Sequence, residues 1–355
     1  MTLDRLRVPI VQAPLAGGAS TPALTAAVVA AGGFGFVAGG YRAPDALRDD
    51  MAAVRSLTGD PFGVNLFVPG APAEASTYEP YVDGLAQEGR HHGVALGEPR
   101  FEDDAWEAKL ALLEADPVAV VSFTFGCPDA AVVRRLQAAG SEVWVTITDP
   151  DEAEQATAAG ADALVVQGIE GGGHRASFVD ADGAGEFGLL ALLQLLRARA
   201  NPPLIASGGI GTGAAVAAVL CSGARAAQVG TAFMRCPEAG TSPAHREALA
   251  QPTPTRLTRA FTGRQARGIV NRFLREHSAD APIAYPEIHH VTAPLRAAGR
   301  AAGDADVLNL WAGQTHELAR DVPAAEVVAT MAAEAAEALA AAGRALDGHA
   351  SQYPG

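Results

Sequence analysis

"PLIASGGIGTGAAVAAVLCSGARAAQVGTAF", residues 203–233, carries the pattern from which the fold is read. A short apolar run, "PLIAS", gives way to glycines and then to "TGAAVAAVLCSGA", where apolar residues recur at helical spacing. Gly223 ends that segment, as is usual just past a helix C-terminus. A second apolar run, "AAQV", follows. Two strands with no polar face, joined by a helix, make the repeating unit of a parallel sheet buried on both sides.

The unit recurs outward in both directions. The β-rich runs are "VPIVQAP", "FGFVAGG", "FGVNLFV", "AVVSFTFG", "SEVWVTI", "ALVVQGI", "PLIASGGI" and "AAQVGTAF", eight in all, with helical patterns between them. Eight such units fit an α/β closed barrel, the (β/α)8 TIM barrel, over residues 1–236. A doubly wound sheet is the alternative, but it would gather its ligand groups at one switch point, whereas here small or polar residues end nearly every strand. Residues 237–300 have short helical patterns and no β-rich run, so a smaller inserted helical domain covering the site is expected there. Residues 301–355 return to the barrel: "VLNLWAGQ" to the rim, and "AAEVVATMAAEAAEALAAAGRAL" as a helix packed on the outside. The tail "DGHASQYPG" is expected to be loose.

The chain has 355 residues, 49% of them apolar, with a formal charge of −14. Such an acidic balance argues against nucleic acid as a partner, and no run is long enough to span a membrane. A small-molecule substrate is expected. Lys109 is the only lysine and sits in "AWEAKLALLEAD", which reads as a solvated helix rather than a site for a catalytic amine. Three scattered cysteines fit a reducing, cytoplasmic setting and form neither a disulfide framework nor a metal site.

Glycine clusters follow the first, second, sixth and seventh runs: "PLAGG", "AGGY", "EGGGH" and "SGGIGTG". In this barrel the loops after the last two strands commonly hold a phosphate, and the amides of Gly208, Gly209, Gly230 and Thr231 could do so without a lysine. Asn65 and Gln167 are amides at strand ends; they suit either the mixed donor and acceptor rim of a flavin or the backbone of a turn. His174 follows three glycines and is the best-placed titratable group. His91 and His92 lie in a polar stretch, His245 and His277 in helical patterns, and His289 and His290 beside a Pro-rich loop, none with metal-ligand spacing.

Six segments, in order, carry a resemblance: "APLAGGASTPALTAAVVAAGGFGFVAGGY", "FGVNLF", "QGIEGGGHR", "ASGGIGTG", "QVGTAF" and "FTGRQARGIVNRF". Together they resemble the class I nitronate monooxygenases, formerly called 2-nitropropane dioxygenases. The resemblance implies FMN bound by Asn65, Gln167, Gly172, Gly209, Gln228, Gly230 and Thr231, with the backbone around Leu15 against the flavin ring and His174 as the catalytic histidine. It also implies oxidation of an alkyl nitronate, typically propionate 3-nitronate, by molecular oxygen, giving an aldehyde-type product and nitrite. A homodimer is one assembly this reading allows. Leu15 stands where the family often has Met, and Gly171 where it often has Ala. The alternative function is an FMN-dependent NADH oxidoreductase resembling the FabK-type enoyl-ACP reductase or an NADH:quinone reductase; a non-catalytic flavin carrier and a sugar-phosphate barrel are further rivals.

Overall fold

The computed structural model describes residues 1–199 and 202–350. All eight expected runs are strands of one parallel sheet: β1 (Ile10–Gln12), β2 (Phe36–Ala38), β3 (Gly63–Phe67), β4 (Val120–Thr124), β5 (Glu142–Ile147), β6 (Ala163–Gln167), β8 (Leu204–Ser207) and β9 (Ala226–Val229). The ring closes between β1 and the residues before β2, where Phe34 N donates to Ile10 O at 3.0 Å and Gln12 N donates to Phe34 O at 2.7 Å.

The strands have two apolar faces because each is covered twice. Val64, Val121, Val145, Leu164 and Ala206 pack outward into the main core beneath the helices. Inside the barrel, Phe34, Phe36 and Trp144 meet edge to face or tilted, with centroids 5.2–5.7 Å apart, among Val11, Val165 and Ile205. This aromatic plug fills part of the interior, and the ligand-sized space lies at the strand C-terminal ends. The last helix, Ala324–Ala350, buries Val327, Val328, Met331 and Ala335 against the barrel, as its spacing predicts. It continues through the first residues of the tail; residues 351–355 lie outside the described residues.

The inserted region departs from the expectation of helices alone. Strands β10 (Thr255–Thr258) and β11 (Ala266–Ile269) pair antiparallel, and β11 also pairs with the two-residue β7 (Gly173–His174). Each of β10 and β11 is four residues long and broken by an arginine, too short and too polar for a β-rich run to show in sequence. Arg267 is nonetheless buried, its Nε donating to Ile169 O at 3.0 Å. The apolar cluster of this region, including Phe261, Phe273, Ile288 and Leu295, also takes Tyr81 and Leu85 from the helix Ala75–His91. Among the described residues no helix is long and apolar enough to cross a membrane.

Lys109 corrects the expectation of a solvated helix. It is 1% exposed, with Nζ 2.7 Å from Asp104 Oδ2 and 2.9 Å from Gly39 O. Its helix, Trp106–Ala115, also buries Leu110 and Leu113, so the lysine lies on the inward face with them.

Candidate active site

A cavity of about 610 Å³ opens at the strand C-terminal ends, within the range of small-molecule and cofactor sites. Leu15, Asn65, Gln167, Gly172, His174, Gly209, Gln228, Gly230 and Thr231 all line it, so every residue singled out in the sequence for cofactor or catalysis reaches one space.

One part of the wall is made of backbone. Gly208 and Gly209 follow β8 with φ of 110° and 69°, a region open to glycine and unfavourable for other residues. The amides of Gly208, Gly209, Gly230 and Thr231 donate to no protein acceptor among the described residues, and the Thr231 hydroxyl accepts from Gly313 N at 3.1 Å. The helix Gly213–Cys221 behind the loop contributes less than expected. Its first amide is taken by Glu334 Oε2 at 2.8 Å, and its cap Thr212 accepts from Ala215 N. Four unengaged amides, two from each of the loops after β8 and β9, therefore remain available to an acceptor in the cavity.

The side-chain amides divide. Asn65 donates to Ser122 O, Ser122 Oγ and Thr124 Oγ1 at 3.0–3.2 Å, which fixes its nitrogen and leaves its oxygen unengaged. Gln167 is used differently: its Nε2 donates to His174 O at 3.1 Å and its Oε1 accepts from Ala176 N at 3.0 Å. Gln167 thus pins the strand that carries His174. Arg175, 1% exposed, binds the carbonyls of Gly168 and Gly185 at 2.7 Å and so holds the base of the same loop. Leu15 offers a surface and no donor, because its amide is taken by Ser20 Oγ at 2.8 Å.

His174 Nε2 lies 2.9 Å from Thr262 Oγ1. The Thr262 hydroxyl has the carbonyl of Arg264 as an acceptor at 3.2 Å and accepts from Arg264 N at 3.4 Å, which leaves its oxygen one further lone pair for a ring N–H. With Nε2 donating to Thr262, Nδ1 is the unprotonated nitrogen of the ring. Phe125, Tyr285 and Trp311 surround the imidazole at 5.5–5.8 Å between centroids. Burial among them, reinforced by the charges of Arg264 and Arg296, brings the pKa of His174 down to about 3. The ring is neutral at physiological pH.

Tyr41, Thr262, His245, His289 and Arg296 also line the cavity and were not singled out in sequence. His289 and His290 belong to the helix Glu287–Ala302, not to a loop; Pro286 at its start and Pro294 within it obscured the helical spacing. Tyr41 and Thr262 were within quoted motifs, "AGGY" and "FTGRQ", but nothing local distinguishes them from structural residues. Glu88, Glu276 and His277 come close enough to suggest a metal ion, yet Arg272 binds Glu88 through two hydrogen bonds at 2.7 and 2.8 Å, which fits an ion-pair network and no metal.

The comparisons with known proteins decide the family. The family described as Nitronate monooxygenase matches residues 2–334. The chain belongs to the nitronate monooxygenase family. It is 43% identical over 339 residues to a nitronate monooxygenase of Pseudomonas aeruginosa, covering 93% of this chain and 96% of that one. It is 39% identical to a nitronate monooxygenase of Paraburkholderia phytofirmans, covering 93% of both. Among solved structures, the nitroalkane oxidase from Streptomyces ansochromogenes superposes with a TM-score of 0.94 at 50% identity, over 96% of this chain and 99% of that one. FabK from Thermotoga maritima gives a TM-score of 0.77 at 25% identity, over 98% and 97%. Membership makes the chain an oxidoreductase acting on nitronates, with the flavin dependence typical of the family.

Proposed function

We propose that the cavity binds FMN and that the loaded enzyme oxidises alkyl nitronates of the propionate 3-nitronate type with molecular oxygen, releasing an aldehyde-type product and nitrite. The observation that carries this reading is a neutral, Thr262-anchored His174 in the same cavity as four unengaged amides. The amides of Gly208, Gly209, Gly230 and Thr231 suit a phosphate dianion, and no lysine is required. The free oxygen of Asn65 and the side chain of Gln228 suit a ring edge with both donors and acceptors, and Leu15 and Gly172 offer close, flat approach. In this reading residues 1–236 form the cofactor barrel, residues 237–300 its cover, completed by Tyr81 and Leu85, and the segment from residue 301 returns to the barrel as far as residue 350.

Bound FMN would supply the electron-accepting and oxygen-reactive centre. The protein's share is binding and proton management. Nδ1 of His174 takes the α proton from a neutral nitroalkane, while Thr262 keeps the ring in the tautomer that can do so. With a preformed nitronate, the substrate's negative charge raises the proton affinity of the ring, which then holds a proton against that charge. The aromatic wall of Phe125, Tyr285 and Trp311 keeps bulk water from the exchange.

The test is chemical. Flavin released by denaturing the purified protein should be FMN, and the loaded enzyme should convert propionate 3-nitronate to nitrite with oxygen uptake; a colourless protein, or an FMN-bound one without nitrite formation, would remove this reading. The NADH-dependent alternative draws on the FabK likeness, which is weaker in both identity and superposition than the nitroalkane oxidase one.

A further inference from the structure

The unengaged amides at the strand ends come from two separate loops, Gly208 and Gly209 after β8 and Gly230 and Thr231 after β9. An anion that bonds both pairs requires the two loops to stand at one separation. The segment 313–318 touches both. Gly313 N donates to Thr231 Oγ1 at 3.1 Å, and Thr315 Oγ1 donates to Gly209 O at 3.2 Å. Between them Gln314 N donates to Glu170 O at 3.1 Å, so one short turn also reaches the loop after β6. The turn is itself fastened to the inserted region. His316, 3% exposed, has Nδ1 3.0 Å from Leu249 O and Nε2 2.8 Å from Thr253 O, and Ala312 N donates to Arg267 O at 3.2 Å.

The two threonine hydroxyls have different tasks, because each has a single proton. Thr315 commits its proton to Gly209 O and has none for a ligand, although it lines the cavity. Thr231 accepts from Gly313, and its own proton has no protein acceptor among the described residues, which leaves it to join the four amides as a donor to an anion. Resting on the proposed FMN site, we propose that the segment 313–318 is a clasp for the cofactor's phosphate and that Thr315 is its positioning residue, fixing Gly209 relative to Thr231 without touching the phosphate. Donors held in place before the ligand arrives avoid the cost of ordering a loop on binding.

The test is flavin binding by the full-length protein freed of flavin, read by quenching of flavin fluorescence, with FMN and riboflavin compared. These ligands share the ring and differ in the phosphate. Native protein should bind FMN at least about a hundredfold more tightly than riboflavin. Thr315→Val keeps the shape of the side chain and removes the donor; it should weaken FMN by about threefold to tenfold and leave riboflavin within about twofold. Thr315→Ser, which keeps the donor, should retain the native ratio. If Thr315→Val does not yield folded protein, Thr315→Ala makes the same comparison. A ratio unchanged by loss of the hydroxyl overturns the inference, and so does equal weakening of both flavins, which would assign Thr315 to the fold. A native protein that binds both flavins alike also overturns it, since the loops would then hold no phosphate. These outcomes leave flavin binding intact, whereas a protein that binds neither flavin overturns the clasp together with the FMN reading on which it rests.

Discussion

Tyr41 and His289 lie ring on ring, centroids 4.3 Å apart with 2° between their planes. Tyr41 comes from the loop after β2 and His289 from the helix Glu287–Ala302, so the stack joins barrel to cover at the cavity wall. The tyrosine is held there with φ of 63°, an unfavourable conformation for its residue type. What holds it is the only lysine of the chain. Asp104 accepts from Tyr41 N at 3.1 Å and pairs with Lys109 at 2.7 Å, while Lys109 also binds Gly39 O.

Lys109→Met is therefore expected to destabilise the protein by about 3 kcal/mol, because Asp104 loses its partner while still largely enclosed. The double variant Lys109→Met/Asp104→Asn should recover most of the loss. Urea denaturation measures both; a single variant as stable as the native protein would contradict the strut.

His174→Ala should lower turnover of neutral nitroalkanes by about 10²–10⁴-fold, the usual worth of a general base, and affect preformed nitronates less. Because burial brings His174 down to about 3, nitroalkane turnover should show no His174-linked fall between pH 8 and 5. Thr262→Val should impair nitroalkanes selectively by freeing the tautomer. Initial rates on nitroethane and its nitronate across that pH range give the comparison, and equal losses on both substrates would exclude proton abstraction as the histidine's task.

Adjacent glycines should behave oppositely. A Cβ at Gly172 would stand 2.4 Å from the backbone of Ala312 and Gly313, a contact that neither side can relieve, so Gly172→Ala should lose bound flavin or fail to fold. At Gly171 the nearest atom would be Gly168 O at 3.3 Å, so Gly171→Ala, the residue often found in the family, should fold and retain FMN. Flavin content after purification distinguishes them, and similar behaviour of the two variants would contradict the packing described for this loop.

The barrel was legible because each strand is a continuous apolar run and each βα turn carries its own glycines. The place of His174 at the cavity was legible because an imidazole directly after three glycines at a strand end has few structural reasons to be there. Tyr41, His289 and Arg296 were not, since their meeting depends on chain segments about 250 residues apart, and Lys109 was misread because a buried lysine on a short helix looks like a surface one until Asp104 and Gly39 are placed beside it. Strands β10 and β11 escaped for a related reason: the inward burial of Arg267 against Ile169 O cannot be read from "ARGI".

Acid should weaken the fold in a defined window. Burial holds His174 at about 3, His245 at about 4 and His289 at about 2, all below the value near 6.5 expected in an unfolded chain. From about pH 6.5 down to about 4 the unfolded chain therefore binds up to three more protons than the native one, and stability falls as pH falls. The urea midpoint of FMN-free protein should be lower at pH 5 than at pH 7, and His289→Phe, which keeps the stack on Tyr41, should make the difference smaller. Equal midpoints for the native protein would contradict the neutral, buried state of these rings.

The most direct test of the central reading is anaerobic mixing of the FMN-loaded protein with propionate 3-nitronate and, separately, with NADH, followed by the visible flavin spectrum. The account predicts rapid reduction by the nitronate and none by NADH. Bleaching by NADH with no response to the nitronate would contradict it and place the chain's chemistry with the FabK-type reductases.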